Sequence, residues 1–306
     1  MTSADNAVSM TQLLDIVYNS PLEKRWQVIY ESPSGTLNVT QGSPEITWSG
    51  GSLDEYLGDV WVSFGSSGFT PDKWYKIEAV HSATAARVET LVTEATASGQ
   101  HFVLARPIRY TIEFEPGNYD FENYPDHSCA SSACVSMVGV STDAQLFFNS
   151  GVSLQGIIRM TGASGELALK RLGIYSTNPA SGPFVAQQPI RLQAGVTGAI
   201  NLLLERCYLH SPHTDFIAGK GLGIGIFRNN HGIVGYDGIA GLNSPDKLFM
   251  YGNVLRSPAT HSNGHGKAMI GLISNIRAGT FTTREAWIHG NVFEGVDDGS
   301  SGAALV

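Results

Sequence analysis

Five stretches in the second half of the chain repeat one phrase: LALKRLGIYS (167–176), LLLERCYLHS (202–211), IGIFRNNHGI (224–233), LFMYGNVLRS (248–257) and AWIHGNVFEG (286–295). Each reads as a short apolar strand, a polar or Gly/Asn corner, and a second short apolar strand. Laid on one another, Ile174, Leu209, Leu255 and Phe293 fall in register, and Asn230, Asn253 and Asn291 fall at the corner. A unit this short cannot bury its apolar side chains alone, so successive units must stack, as in a solenoid. Register spacings run from 23 to 38 residues, the longer ones leaving room for a loop excursion. The corner asparagines are expected to form a ladder, each amide bonding the copies above and below, and they tolerate left-handed backbone. Parallel strands buried in such a coil are expected to be near-continuously apolar.

Composition agrees with a turn-rich β protein: 15% of residues are charged, and there are 35 glycines. The formal net charge of −8, with no basic cluster denser than Lys24-Arg25, argues against nucleic acid as a partner. No apolar run approaches a membrane span, so no membrane insertion is expected. The first residues lack the basic start and apolar core of a secretory signal, which points to synthesis and retention in a cytoplasm or assembly there into something larger. Cys129, Cys134 and Cys207 have no metal-ligand spacing; a small Cys129–Cys134 bridge and free thiols remain the alternatives.

Along the chain, residues 8–19 carry Val8, Leu13, Leu14, Ile16 and Val17 before Pro21, which predicts a short amphipathic helix. Its small apolar face is expected to dock on a partner or a neighbouring subunit. From Ile29 to about Arg106 the rhythm is alternation. Leu37 and Val39 face Ile46 and Trp48 across a turn at 41–44, and further strands are predicted at 59–64, 74–80, 86–92 and 101–105. Five or more short strands separated by turns predict a small antiparallel β-sandwich or barrel.

The runs GTLNVTQGSPEITWSGG, GDVWVSFG, KWYKIEAVHSATAARVETL and SGQHFVLARP, together covering about 35–107, resemble a small β domain of bacteriophage tail fibre, tailspike and other virion proteins. IRYTIEFEPGNYDFEN (108–123) is similar to the opening coil of right-handed parallel β-helices of the pectin-lyase-like family. The fold expected is therefore all-β: an N-terminal helix and anchoring segment (1–28), a small antiparallel β-sandwich or barrel (29–107), and a right-handed parallel β-helix (108–306). The resemblance implies a virion protein, made in the host cytoplasm, that assembles as a homotrimer. It would bind other virion proteins through its N-terminal segment and bacterial surface glycan outside.

Two carboxylates can divide acid and base work on a glycan. The candidate catalytic residues are Glu205, Asp215 and Asp237, with Asp246, Glu294, Asp297 and Asp298 behind them. Each is more simply read as a solvated loop or strand-face residue, because nothing pairs two of them at a defined spacing. His210/His213 and His261/His265 read as loop polarity in place of a metal site. The glycine-dense stretch 219–225 enters a strand, with no helix N-terminus to hold a phosphate. No cofactor and no metal is expected. Tyr175, Tyr208, Tyr251 and Trp287 are among the aromatics expected to face outward, where rings suit sugars or protein partners. Two functions follow as expectations: a structural and adhesive virion component for assembly and host attachment, or a tailspike-like depolymerase acting as a polysaccharide lyase or glycoside hydrolase.

Overall fold

The structure is a computed structural model that describes residues 17–32, 36–50, 58–120, 128–129, 132–148, 158–160, 164–176, 190–193, 200–211, 216–220, 222–234, 240–243, 246–256, 271–273 and 284–294. After a one-turn helix (Leu22–Arg25) come seven antiparallel strands: β1 (Trp26–Glu31), β2 (Thr36–Val39), β3 (Glu45–Ser49), β4 (Trp61–Gly65), β5 (Tyr75–Ser82), β6 (Ala85–Val88) and β7 (Ala97–Pro107). They are ordered β1-β7-β2-β3-β6-β5-β4, and a further β7–β4 pairing closes six of them into a barrel. The predicted hairpin is β2–β3, with Leu37 opposite Trp48 and Val39 opposite Ile46. Alternation fills the barrel: Leu37, Val39, Ile46 and Trp48 are buried and their neighbours face out. β7 closes the ring because it is long enough to pair β2 with its first half and both β1 and β4 with its second.

From Arg109 onward the chain runs through three parallel sheets. Sheet I holds Arg109–Phe114, Ala133–Gly139, Gly165–Lys170, Ile200–Glu205, Leu222–Arg228, Lys247–Tyr251 and Glu285–His289. Sheet II holds Gly117–Asp120, Ala144–Phe148, Gly173–Ser176, Tyr208–Ser211, His231–Val234, Val254–Arg256 and Val292–Glu294. Sheet III holds Ser128–Cys129, Ile158–Met160, Ile190–Gln193, Ile217–Lys220, Ala240–Asn243 and Gly271–Ile273. One path repeats through sheets I, II and III, giving, among the described residues, seven rungs of a β-helix-like stack, the last without a strand in sheet III. The repeat register of the sequence is the register of sheet II, where Ile174, Leu209, Gly232, Leu255 and Phe293 are successive partners.

The strands of sheet I are near-continuously apolar in sequence but alternate in burial. Gly165–Lys170 and Ile200–Glu205 alternate buried and half-buried residues. Their inward side chains, such as Leu167, Leu169, Leu202 and Leu204, fill the coil, while the outward ones sit under the barrel. Small and large residues compensate within the coil: Gly225 stands opposite Leu202, and Leu222, Leu248 and Phe227 close over it at 3.0, 3.1 and 3.2 Å from where a Cβ would lie. Val17 and Tyr18 are buried in this same core beside Phe114. The end of the N-terminal segment therefore docks on its own stack, and the rest of the predicted helix lies outside the described residues.

In rungs 3 to 7 the chain turns between sheets I and II in two residues. The first has positive φ: Arg171 (52°), Arg206 (54°), Asn229 (55°), Gly252 (66°) and Gly290 (62°). The second is Leu172, Cys207, Asn230, Asn253 or Asn291. The left-handed residue is thus the one before the ladder asparagine. Freed from that role, the asparagine side chains point inward and stack. Asn230 Nδ2 donates to Asn253 Oδ1 at 3.0 Å, and Asn253 Nδ2 donates to Asn291 Oδ1 at 2.7 Å. The same amides donate to the carbonyls of Leu204, Phe227 and Met250, closing strand ends that would otherwise be unpaired.

Gly232 has a distinct reason to be glycine. Its φ is 150°, and a Cβ there would lie 1.9 Å from the Leu209 carbonyl oxygen. The overlap is with backbone and cannot be relieved by a rotamer change. Gly232→Ala is expected to destabilise the protein by about 2–4 kcal/mol, read as a lowered urea midpoint at unchanged secondary structure.

Candidate functional site

The barrel lies along the outer face of sheet I, and a tryptophan cluster fixes one end of the contact. The indole of Trp26 stacks on Trp74 (4.4 Å between ring centroids) and meets Trp61 edge-on at 5.5 Å. Trp26 Nε1–H donates to the Ser132 carbonyl at 3.0 Å, and the Trp74 amide donates to Ser164 Oγ at 2.7 Å. Both serines belong to segments leading into sheet I. Further along, ion pairs cross the same seam: Arg109–Asp59 (2.5 Å), Lys76–Glu166 (3.5 Å) and Lys247–Glu78 (2.8 Å). At the far end Asp246, which is 1% exposed, accepts the Leu91 amide of the barrel. Arg284 there donates to the Glu89 carbonyl at 2.9 Å.

Between these contacts the two layers separate and leave a cleft of about 410 Å³. Its floor is one outward row of sheet I in register over five rungs: Ser136, Ala168, Leu203, Ile226 and Phe249. Its roof is the barrel, through Lys76, Glu78 and Glu89. An apolar floor with charged walls at the junction of two layers, and of this size, is the common form of a ligand site.

The charges are tightly matched. Glu166 contacts both Arg109 and Lys76, and Glu89 contacts Lys76 at 3.1 Å and accepts from Asn201 Nδ2 at 3.2 Å. Burial pushes the Glu89 carboxyl above its usual range; Lys76 opposes that shift, and the nearby Glu166 charge adds to it. Glu78 moves the other way: burial would raise it, but the Lys247 ammonium, with Arg87 behind it, outweighs burial and lowers it. Burial would likewise lower Lys76, yet Glu89 and Glu166 raise it. Cys134, on the same wall, is a free thiol pushed up to about 12 by burial, so it is inert at neutral pH and not bridged to Cys129.

The two glutamates therefore have opposite linkage. A lowered folded pKa stabilises above the unfolded value and is lost as pH falls, which is the case for Glu78. A raised folded pKa stabilises below the unfolded value and is lost as pH rises through the folded one, which is the case for Glu89. Glu89→Gln is expected to leave stability at pH 7 unchanged or higher and to flatten its decline above the unfolded glutamate pKa. Glu78→Gln is expected to lose under about 1 kcal/mol at pH 7, since the pair is partly exposed, and progressively less as pH falls through the lowered folded pKa of Glu78. Thermal melts from pH 3 to 8 measure both.

Of the residues singled out from sequence, Glu205 does face outward beside this cleft, in the next row of sheet I. It pairs with Arg228 at 2.9 Å, and Arg228 Nη1 donates to the Tyr251 hydroxyl at 3.1 Å. Asp246 is a buried clamp between barrel and stack. Glu294 pairs with Arg256 at 2.6 Å on sheet II. Asp215, Asp237, Asp297, Asp298, His213, His261 and His265 lie outside the described residues. Gly219 to Gly225 does lead into a strand, with Gly221 outside the described residues. Among the described residues no three His, Cys, Asp or Glu side chains converge as a metal group would, and no helix is long and apolar enough to cross a membrane.

Lys76, Glu78, Glu89, Arg109 and Glu166 were not among the sequence candidates. Alternation along Lys76-Ile77-Glu78 marks two of them as outward, but their partners lie far away in sequence, beyond any local pattern. No family model, no curated protein and no solved structure matches the chain.

Proposed function

We propose that this chain is a structural and adhesive component of a bacteriophage virion, serving assembly and host-surface attachment. The observation that carries the non-catalytic part is the ion pairing along the cleft: Glu78, Glu89, Glu166 and Glu205 each have a cationic partner within 3.5 Å or less. Carboxylates held this way are poor proton shuttles and good fixed walls. The residue pattern over 35–107, now seen to form a barrel, supports the virion assignment. The coil is right-handed, as parallel crossovers almost always are, and the chain works as a homotrimer bound to other virion proteins through its N-terminal segment. A floor five rungs long and apolar at four of them suits an extended bacterial surface glycan.

The test is co-sedimentation with host bacteria and with their purified surface polysaccharide. The wild-type protein is expected to bind both, and Phe249→Ala to weaken binding about fivefold or more through loss of one apolar ring from the floor. Failure to bind either, or a native mass showing only monomer, contradicts the proposal.

One observation favours the second reading, a tailspike-like depolymerase. Burial holds Glu89 above the usual carboxylate range, and it lies across Lys76 from Glu166, so two carboxylates flank one ammonium in the cleft. Release of new sugar ends from the bound polysaccharide, abolished by Glu89→Gln, would establish it.

A further inference from the structure

We infer that the outer face of sheet II at rungs 3 to 5 is a stacking platform for uncharged pyranose rings, a second site separate from the cleft. The outward positions there are Gly173 and Tyr175, Tyr208 and His210, His231 and Ile233, in register across three strands. Their rings form one contiguous cluster. Tyr208 lies 5.5 Å from Tyr175, is parallel to His210 within 14° at 6.4 Å, and meets His231 at 5.1 Å. Tyr175 and His210 are 5.7 Å apart.

Gly173 shapes the face. A Cβ there would come within 2.9 Å of Tyr175 Cε2, so the absent side chain lets the Tyr175 ring lean over the strand backbone. Any larger residue would force that ring up and break the surface it shares with Tyr208. His231 is exposed, and the other three rings are half-buried, which leaves ring surface open to solvent.

The chemistry of the face selects the occupant. None of its six outward positions is Lys, Arg, Asp or Glu, and Arg256, next in the row beside Ile233, is paired with Glu294 at 2.6 Å, so the face itself offers an acidic polymer no counter-charge. Each of the three strands is paired on both sides, so an added peptide strand finds no free backbone donors. What remains is a set of ring faces rimmed by phenol and imidazole groups that donate and accept hydrogen bonds. A neutral sugar presents the matching pair, an apolar C–H face and a rim of hydroxyls. Sheets I and II meet through a two-residue corner, so this face looks away from the cleft and its occupancy does not depend on it.

The experiment is isothermal titration of the full chain with maltoheptaose, cellohexaose and chitohexaose, with a hyaluronan hexasaccharide as the acidic control. At least one neutral oligosaccharide is expected to bind. Tyr208→Ala should weaken it about tenfold, the loss of one ring face, and His231→Ala, at an exposed ring, should weaken it with an unchanged melting temperature. Phe249→Ala in the cleft should leave it unaltered, which separates this site from the attachment reading above. No binding by any neutral probe, equal binding of the acidic one, or affinity indifferent to both substitutions overturns the inference. So does an oligomer that Tyr208→Ala dissolves, since the face would then be an interface between copies of the chain.

Discussion

Asn253→Ala is expected to destabilise the protein by about 4 kcal/mol, because it orphans several buried polar groups at about 1–3 kcal/mol each. Asn253 is fully buried and sits in the middle of the corner ladder. Its Oδ1 accepts the Asn230 backbone amide and side-chain amide, both at 3.0 Å, and its Nδ2 donates to the Phe227 carbonyl at 2.8 Å and to Asn291. Alanine leaves the Asn230 amide and the Phe227 carbonyl in a dry interior with no partner. Asn253→Asp should be no better, since a carboxylate can accept from Asn230 but cannot donate to Phe227 and brings a charge into the core. Asn291→Ala, at the half-buried end of the ladder, should cost about half as much. Urea unfolding of the three variants checks the order, and equal losses at 253 and 291 would mean that the ladder does not act as a stack.

Asp246→Ala is expected to cost about 3 kcal/mol and to loosen the barrel from the stack. The Asp246 carboxylate is the acceptor for the Leu91 amide and lies 4.0 Å from the Arg284 guanidinium. Its own carbonyl accepts the Arg284 amide at 2.9 Å, tying rung 6 to rung 7. Removing the side chain strands a buried N–H and weakens the hold on Arg284, which also donates to the barrel at Glu89. Asp246→Asn keeps an acceptor and should cost less. Trp26, Trp61 and Trp74 report on the opposite end of the same seam, so their fluorescence separates loosening from global unfolding. Loss of stability with no change in the accessibility of these indoles to a quencher would place the damage inside the stack.

The register of the stack was legible because it is periodic. Leu209, Leu255 and Phe293 must all face inward, and a slip of one residue would turn every one of them to solvent. The ladder was legible for the same reason, since Asn230, Asn253 and Asn291 recur at one point of the repeat. The left-handed corner was not, because five different rungs fill it with arginine, asparagine or glycine, and no residue type marks it. Arg171 and Arg206 accept positive φ there because the neighbouring rungs fix the backbone.

The cleft was hidden for a different reason. It is made where the barrel lies on sheet I, and that contact pairs Asp59 with Arg109 and Glu78 with Lys247 across long stretches of chain. Charge alternation in a strand tells which residues face out, and says nothing of what they face. Glu205 was found because it interrupts an apolar strand; its neutraliser Arg228 lies one rung on, at the matching position of the next copy of the repeat.

The central claim, that the cleft holds a glycan between fixed ion pairs without cutting it, is tested most directly by sizing bound host polysaccharide after prolonged incubation. The account predicts that the polymer is recovered at its original length, with no new reducing ends and no unsaturated uronate absorbance, from a protein that demonstrably binds it. Polymer shortened by the wild-type protein but left at full length by Glu89→Gln would contradict it.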